Sequence, residues 1–309
     1  MDQATAESEA ALKHSDLADA DCAIAQALGI VGDWWTLLVV RDIARGINRF
    51  DGLQRELSIS RKTLAERLKS LVANGVLDKE HYSRHPPRFE YRLTRTGRGL
   101  LPVLIALQDW GTRYVAGDGT LTATSAPASA EARRVRSLVG RTLPAVPLPS
   151  SDAATMDPAG PGWTVLYTFP GAFAPAGNPY PPDWAAIPGA EGCIAESAAY
   201  RDRYPAFAEH GVAVHGLSTQ RPDQLRAFAE HAAVPFPLLS DADLSLAAAL
   251  RLPTFRASGV DRLKRLTLIV DPARVIRAVQ YPITDPVASV DDTLTRVAAL
   301  TCVTPAAPQ

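Results

Sequence analysis

Gly192-Cys193-Ile194-Ala195-Glu196-Ser197-Ala198-Ala199-Tyr200-Arg201-Asp202-Arg203-Tyr204-Pro205-Ala206-Phe207 is a helix-like run opened by a cysteine, and the apolar strand Val212-Ala213-Val214-His215-Gly216-Leu217-Ser218 follows directly. A thiol at a helix N-terminus meets the positive end of the helix dipole and free backbone N–H groups. Both favour the thiolate, the nucleophilic form. The expectation is a reactive Cys193 with a depressed pKa, placed where a helix begins beside a strand.

Working outward, Trp163 to Phe169 reads as an apolar strand ending at Pro170-Gly171-Ala172-Phe173-Ala174-Pro175. A Pro-rich insertion leads to Ile187 and on to Cys193. After the strand at Val212, Pro222 to His231 reads as a helix, and Phe236-Pro237-Leu238-Leu239-Ser240-Asp241 enters another. Leu266 to Asp271 and Val275 to Tyr281 are paired strands, and Ser289 to Leu300 is a closing helix. Strands alternating with helices predict an α/β layer around a central sheet, in thioredoxin-like order.

This half resembles the peroxiredoxins of the thiol-specific antioxidant and bacterioferritin-comigratory types. In those families the peroxidatic cysteine is followed by a Glu and a Phe-Arg-Asp-like triplet, matched here by Glu196 and Tyr200-Arg201-Asp202. Phe236 to Asp241 is similar to the family's substrate-side loop. Lys264-Arg265-Leu266-Thr267-Leu268-Ile269-Val270-Asp271 is similar to the strand that supplies an active-site arginine. The resemblance implies a catalytic set of Cys193, Arg265 and Glu196. A guanidinium beside the sulfur lowers its pKa and binds peroxide oxygens. The usual Pro-x-x-x-Thr/Ser-x-x-Cys is altered, because Ala186 and Ala190 occupy the Pro and hydroxyl positions before Cys193. A rival register starting at Pro170 puts Ala174 at the hydroxyl position and Gly177 at the cysteine. The Cys193 register is preferred because Glu196 and Tyr-Arg-Asp follow in step. A resolving cysteine five residues on is replaced by Ala198.

The first hundred residues read differently. Cys22 to Leu28, Trp34 to Arg45 and Phe50 to Leu57 are expected helices, and Ser58-Ile59-Ser60 is a tight turn. Ser60 is a good N-cap. Leu64, Leu68 and Leu71 make one buried stripe of the next helix, which ends at Asn74-Gly75. Two strands follow, with Ser83-Arg84-His85-Pro86-Pro87-Arg88 between them, and a last helix runs from Gly97 to Tyr114. That order is a winged helix-turn-helix, an α+β arrangement. The last helix carries more apolar surface than a small domain needs, so it is expected to pack in a homodimer. Between Arg41 and Arg98 there are 14 basic and 7 acidic residues, which suits a phosphate backbone. Ser60, Arg61, Lys62, Thr63 and Arg67 are expected to face the major groove, and Arg84 and Arg88 on the wing to reach backbone or minor groove.

This unit closely resembles the HxlR-type, MarR-like regulators, from Cys22-Ala-Ile-Ala-Gln-Ala-Leu28 through Gly32-Asp33-Trp34, Leu64-Ala65-Glu66-Arg67-Leu68 and His85-Pro-Pro-Arg88-Phe-Glu-Tyr91 to Gly97-Arg98. The resemblance implies a dimer on a double-stranded operator with two half-sites. Several members sense oxidants through a cysteine near the N-terminus, and Cys22 occupies that position.

The expected domains are residues 1–118, a linker over 119–161 rich in Ala, Pro, Ser and Thr whose middle, Glu131 to Val139, has the pattern of a short helix, and residues 162–309. Net charge is −1 over 309 residues, so bulk charge singles out no partner. No apolar run is long enough to span a membrane, and the acidic start lacks a signal-peptide core. A cytoplasmic location follows, and there the three cysteines, Cys22, Cys193 and Cys302, make no disulfide framework. His210, His215 and His231 lack metal-ligand spacing, and no phosphate cradle or other cofactor site is visible.

Three functions stay open. The first is a redox-responsive regulator in which Cys193 reacts with peroxide and passes oxidation to Cys22 or Cys302 across a flexible linker. The second is a one-cysteine peroxidase reduced by an external thiol, with an autoregulatory DNA-binding unit. The third is a regulator whose thioredoxin-like domain has lost its chemistry and serves dimerisation or ligand binding.

Overall fold

A computed structural model of the chain describes residues 21–85, 87–174 and 180–302. The acidic start, the wing residue Pro86 and Gly177 of the rival register lie outside the described residues. Packing divides the chain into two compact units, Met1–Arg98 and Gly99–Gln309.

Unit 1 contains α1 (Ala23–Val31), α2 (Trp34–Ala44), α3 (Phe50–Leu57), α4 (Arg61–Ala73), β1 (Leu77–Arg84), β2 (Pro87–Leu93) and the short α5 (Arg95–Arg98). Asp33 caps α2 by accepting from the Thr36 N–H at 3.2 Å. The turn between α3 and α4 is made by Ser58 in the left-handed region, φ 51°, with Ile59 tucked into the core. Ser60 then caps α4, its Oγ accepting from the Thr63 N–H at 3.1 Å. Leu64, Leu68 and Leu71 are buried with Leu53, Leu57, Val39 and Val40, so one apolar stripe fixes which face of α4 turns outward. β1 and β2 form an antiparallel wing from Leu77↔Leu93 to Arg84↔Pro87, with an irregularity between His81 and Ser83.

Unit 2 begins with α6 (Leu101–Trp110), a π-helical turn over Gly111–Val115, and α7 (Ala130–Arg136). Two short strands follow, β3 (Leu148–Pro149) and β4 (Thr155–Met156), then β5 (Trp163–Thr168), α8 (Cys193–Glu209), β6 (Val212–Ser218) and α9 (Pro222–Ala232). The remainder is β7 (Leu238–Ser240), α10 (Ser245–Leu250), β8 (Thr254–Ala257), β9 (Val260–Leu263), β10 (Leu266–Val270), β11 (Ile276–Gln280) and α11 (Ala288–Thr301). The central sheet has the order β11-β10-β5-β6-β7. β5, β6 and β7 are parallel, whereas β10 is antiparallel to both β5 and β11. Val165, Tyr167, Tyr200, Phe207, Val214, Phe228, Phe236 and Val297 fill one core with Cys193 among them.

Two expectations change here. The helix expected over Gly97–Tyr114 is broken into α5, α6 and the π-turn, and α6 groups with unit 2. Its Leu101 and Ile105 are buried, and the Gln108 side-chain amide donates to the Leu252 carbonyl at 2.9 Å. The 119–161 stretch, expected as a flexible linker around a short helix, carries that helix as α7 (Ala130–Arg136) but is folded into unit 2. It seals both edges of the central sheet: Thr142 bridges Val275 next to β11, and Ser150 bridges Leu239 on β7. An unpaired sheet edge needs covering, and this segment does it while burying Ala132, Val135, Leu138, Leu143 and Leu148. The β8–β9 hairpin was not foreseen, although Ser258-Gly259 at its turn, both at positive φ, is a hairpin signature.

Candidate redox site and nucleic-acid interface

The candidate redox site is built where the chain enters α8. Gly192 is the N-cap at φ 100°, a conformation open to glycine, and a Cβ there would lie 2.8 Å from Pro286. This turn presents Cys193 as the first residue of α8, and it is 2% exposed. Arg265, at the start of β10, lies against it. Its Nη2 is 3.2 Å from the Cys193 sulfur, and its Nε donates to Glu196 Oε2 at 2.7 Å. The same guanidinium donates to the carbonyls of Gly189 at 3.0 Å and Glu191 at 3.1 Å. One buried cation thus ties together the sulfur, a carboxylate one turn along the helix, and the turn that delivers both. Beyond this trio, the Tyr167 hydroxyl meets Ser197 Oγ at 3.0 Å and the Tyr200 hydroxyl meets Thr267 at 3.2 Å.

The charge state differs from the expectation. Burial pushes the Cys193 thiol up rather than down; Arg265 pulls the other way, Glu196 adds to the rise, and the Gly171 N–H opposes it. The helix terminus alone was a poor guide because full burial disfavours an anion more than one guanidinium favours it. Glu196 is pushed up from 4.5 to about 7 by burial, against the pull of Arg265, and its Oε1 has no hydrogen-bond partner among the described residues. In this arrangement the thiol faces the Ala190 carbonyl at 3.6 Å. Two donors, Arg265 and the Gly171 N–H, are already aimed at the sulfur for the moment it ionises. A cleft of about 720 Å³ opens over the start of α8, walled by Tyr180, Trp184, Gly192, Ile194, Ala195 and Ala198.

Of the other expected residues, Tyr200 is buried in the core, whereas Arg201 pairs with Asp202 and donates to the Ala232 carbonyl. Phe236 and Leu238 share the core with Cys193. Asp241 caps α10 instead, accepting from the N–H groups of Leu246 at 2.9 Å and Ala247 at 2.7 Å. Cys302 is exposed at the end of α11. The chain at Pro286, just before α11, touches Gly192. A 14-residue helix is about 21 Å long, so Cys302 sits at the far end of α11 from Cys193. Among the described residues, no group of three or more His, Cys, Asp or Glu could hold a metal ion, and His215 makes a hydrogen bond to the Pro158 carbonyl.

On unit 1, Arg61 and Lys62 project from the first turn of α4 into solvent. Arg61 lies over the Phe50 ring at 5.0 Å and within reach of Asp51 and Gln54. Ser60 and Thr63 bond to each other at 2.8 Å, so both hydroxyls serve the cap. Arg67 is drawn back, with its Nε 3.2 Å from Asp33, the residue that caps α2. Arg84 and Arg88 are exposed near the wing tip. Cys22 is exposed at the N-cap of α1.

This geometry agrees with what the chain is similar to. Residues 30–118 match the HxlR-like helix-turn-helix family and residues 180–279 the AhpC/TSA family. An uncharacterized HTH-type transcriptional regulator of Mycobacterium tuberculosis is 45% identical over 92 residues, which is 30% of this chain and 58% of that protein. Another, from Methanothermobacter thermautotrophicus, is 34% identical over 94 residues, 30% of this chain and 72% of its own length. The chain belongs to the HxlR-like regulators. Its second unit is an AhpC/TSA, peroxiredoxin-like domain that the HxlR-like match does not reach. Among solved structures, the peroxidoxin BcpB of Mycobacterium tuberculosis is 26% identical, with a TM-score of 0.44, covering 52% of this chain and 97% of that one. The HxlR-like match ends at residue 118, beyond the point where packing divides the units. The chain spans 58% of the mycobacterial regulator's length.

Several residues of this HxlR-like chain's redox site were invisible to sequence reasoning. Arg262, Tyr167, Ser197 and the aromatic group Phe173, Tyr180 and Trp184 converge only through the β8–β9 hairpin and the insertion before α8. Arg262 lies three residues before Arg265, and that spacing was its one available signal.

Proposed function

We propose that this protein is a redox-responsive DNA-binding regulator whose oxidisable group is Cys193. The observation that carries the reading is one buried guanidinium, Arg265, in contact with both the Cys193 sulfur and Glu196, in a chain that also carries an HxlR-like DNA-binding unit. The thiolate attacks the terminal oxygen of a hydroperoxide, the O–O bond breaks, and the alkoxide leaves with a proton as the alcohol. Cys193 is left as the sulfenic acid. The mainly apolar cleft beside Cys193 suits an organic hydroperoxide. The sulfenic acid then condenses with a thiol and releases water, and Cys22, exposed on unit 1, is the receiver within the protein. DNA is engaged by Arg61, Lys62, Arg84 and Arg88 on a double-stranded operator, in the cytoplasm. A homodimer suits the exposed apolar residues Val103, Leu107 and Trp110 on α6, at spacings of four and three, with Tyr114 beside Trp110 in the π-turn.

The test is intact-mass analysis and operator binding before and after stoichiometric peroxide, on wild type, Cys193→Ser, Cys22→Ser and Cys302→Ser. A gain of one oxygen or a disulfide that requires Cys193, with a change in operator affinity that also requires it, supports the reading. Operator binding that responds to peroxide equally in Cys193→Ser defeats it. A second reading, a one-cysteine peroxidase restored by an external thiol, is favoured by Ala198 at the resolving position and by Cys302 at the far end of α11. Sustained peroxide consumption by Cys22→Ser with an added thiol selects it.

A further inference from the structure

Arg262, on β9, is 6% exposed and has no carboxylate partner among the described residues. Its guanidinium lies 4.9 Å from the centre of the Trp184 ring and 5.6 Å from that of Phe173. Its Nε is buried with no hydrogen-bond partner among the described residues, and its Nη1 donates to the Pro170 carbonyl at 3.3 Å. The one charge that favours this cation is that of Cys193 itself, and a buried guanidinium with no carboxylate partner among the described residues is costly and calls for an explanation. The explanation lies across one peptide bond. Pro170 C=O and Gly171 N–H belong to the same peptide unit, and in a trans peptide they point in opposite directions. Arg262 holds the oxygen side, and the N–H side faces the Cys193 sulfur. A cation on the carbonyl oxygen polarises the amide and strengthens its N–H as a donor. The next residue is fixed as well, because the Gln220 amide accepts from the Ala172 N–H at 2.8 Å and donates to its carbonyl at 2.9 Å. Gly171 permits the approach: a Cβ there would stand 2.9 Å from Arg262 Nη1 and 3.2 Å from the Phe173 ring.

We propose that Arg262 is a positioning residue of the Cys193 site, orienting and polarising the Pro170–Gly171 peptide so that its N–H stabilises the sulfur anion. The proposal rests on the reading of Cys193 as the oxidisable thiol. It adds a second guanidinium whose charge favours the Cys193 anion across space and which also acts through backbone, where Arg265 acts by contact. The other ionisable groups facing the sulfur are Arg265 from β10, Glu196 from α8, Tyr167 from β5 and Tyr180 from the insertion. Of these, only Arg265 favours the anion.

The experiment is the rate of iodoacetamide alkylation of Cys193 against pH in the full-length protein, followed by mass spectrometry of the Cys193 peptide. The proteins are wild type, Arg262→Gln, Arg262→Lys and Gly171→Ala. Arg262→Gln should move the Cys193 midpoint upward by roughly one pH unit, the scale of one lost donor to the anion. Arg262→Lys should restore part of it, and the midpoints of Cys22 and Cys302 should not move. Gly171→Ala, which forces Nη1 away from the peptide, should shift Cys193 in the same direction and carries the test if Arg262→Gln does not fold. A Cys193 midpoint unchanged in the folded Arg262→Gln or Gly171→Ala protein overturns the proposal. Wild-type protein whose Cys193 is not oxidised by peroxide overturns the functional reading instead, and the alkylation midpoints still decide the role of Arg262.

Discussion

Arg61 on unit 1 stands in water, whereas Arg265 on unit 2 is buried. The Arg61 side chain is 70% exposed and that of Arg265 is 2% exposed. An exposed guanidinium is screened and contributes little to folding, which leaves it available to a phosphate. A buried one has its donors committed to Glu196, two carbonyls and a sulfur, so it is bound up with the fold and tunes whatever it touches. The difference lies in the surroundings and not in the side chain. It predicts that mutations in the two units separate folding from binding in opposite ways.

The largest contrast is between Arg265→Ala and Arg61→Ala. Removing Arg265 leaves the Glu196 carboxyl buried without its partner and should cost unit 2 about 3–5 kcal/mol. Arg61→Ala should stay within about 0.5 kcal/mol. Urea unfolding of both proteins measures this, and equal losses would break the comparison. The next effect concerns pH. Glu196 and Asp241 are each raised by burial to about 7, so the folded protein binds these protons more tightly than the unfolded chain. Their stabilisation is complete below the ordinary carboxylate range and is lost as pH rises toward 7. The fall is at most about 1.4 kcal/mol per pH unit for each group. Urea midpoints from pH 4 to 8 should show this decline, and Glu196→Gln should remove its own share and leave that of Asp241. An unchanged profile in Glu196→Gln would place the slope elsewhere.

Ser60→Ala is smaller, about 1 kcal/mol through loss of the α4 cap. It tests whether Ser60 serves the fold before it serves DNA, because operator affinity should fall no more than stability and affinity of the folded fraction together require. The smallest effect on folding belongs to Arg61→Ala and Lys62→Ala, whose consequence appears on DNA. Each should weaken operator binding and reduce the slope of log affinity against log salt by about one. Arg265→Ala in reduced protein should leave that slope unchanged. A slope altered by Arg265→Ala and not by Arg61→Ala would reverse the assignment of tasks to the two units.

Much of the frame was legible because local chemistry decides it. Cys193 to Glu209, Phe50 to Leu57 and the Ser60 cap read directly from apolar spacing and capping residues. The pairing of Arg265 with Cys193 and Glu196 came from resemblance, since residues about 70 apart carry no local signal for one another. The charge on Cys193 was misread because a helix terminus is visible in a sequence and burial is not. The Arg67 pairing was hidden for a related reason: on α4 it faces outward by periodicity, yet Asp33 at the start of α2 draws it back.

The sequence by itself determined a helix-turn-helix followed by an α/β layer, the cysteine that opens a helix and the basic surface of the helix-turn-helix. Apolar period, caps and residue type act over a few positions and can be read there. Only the tertiary structure decided that the Ala- and Pro-rich middle seals both edges of a sheet, that α6 packs with the second unit, and that Arg262 is buried against the Pro170 carbonyl. Each of these depends on which distant segment excludes water from which group, and that is settled when the whole chain packs.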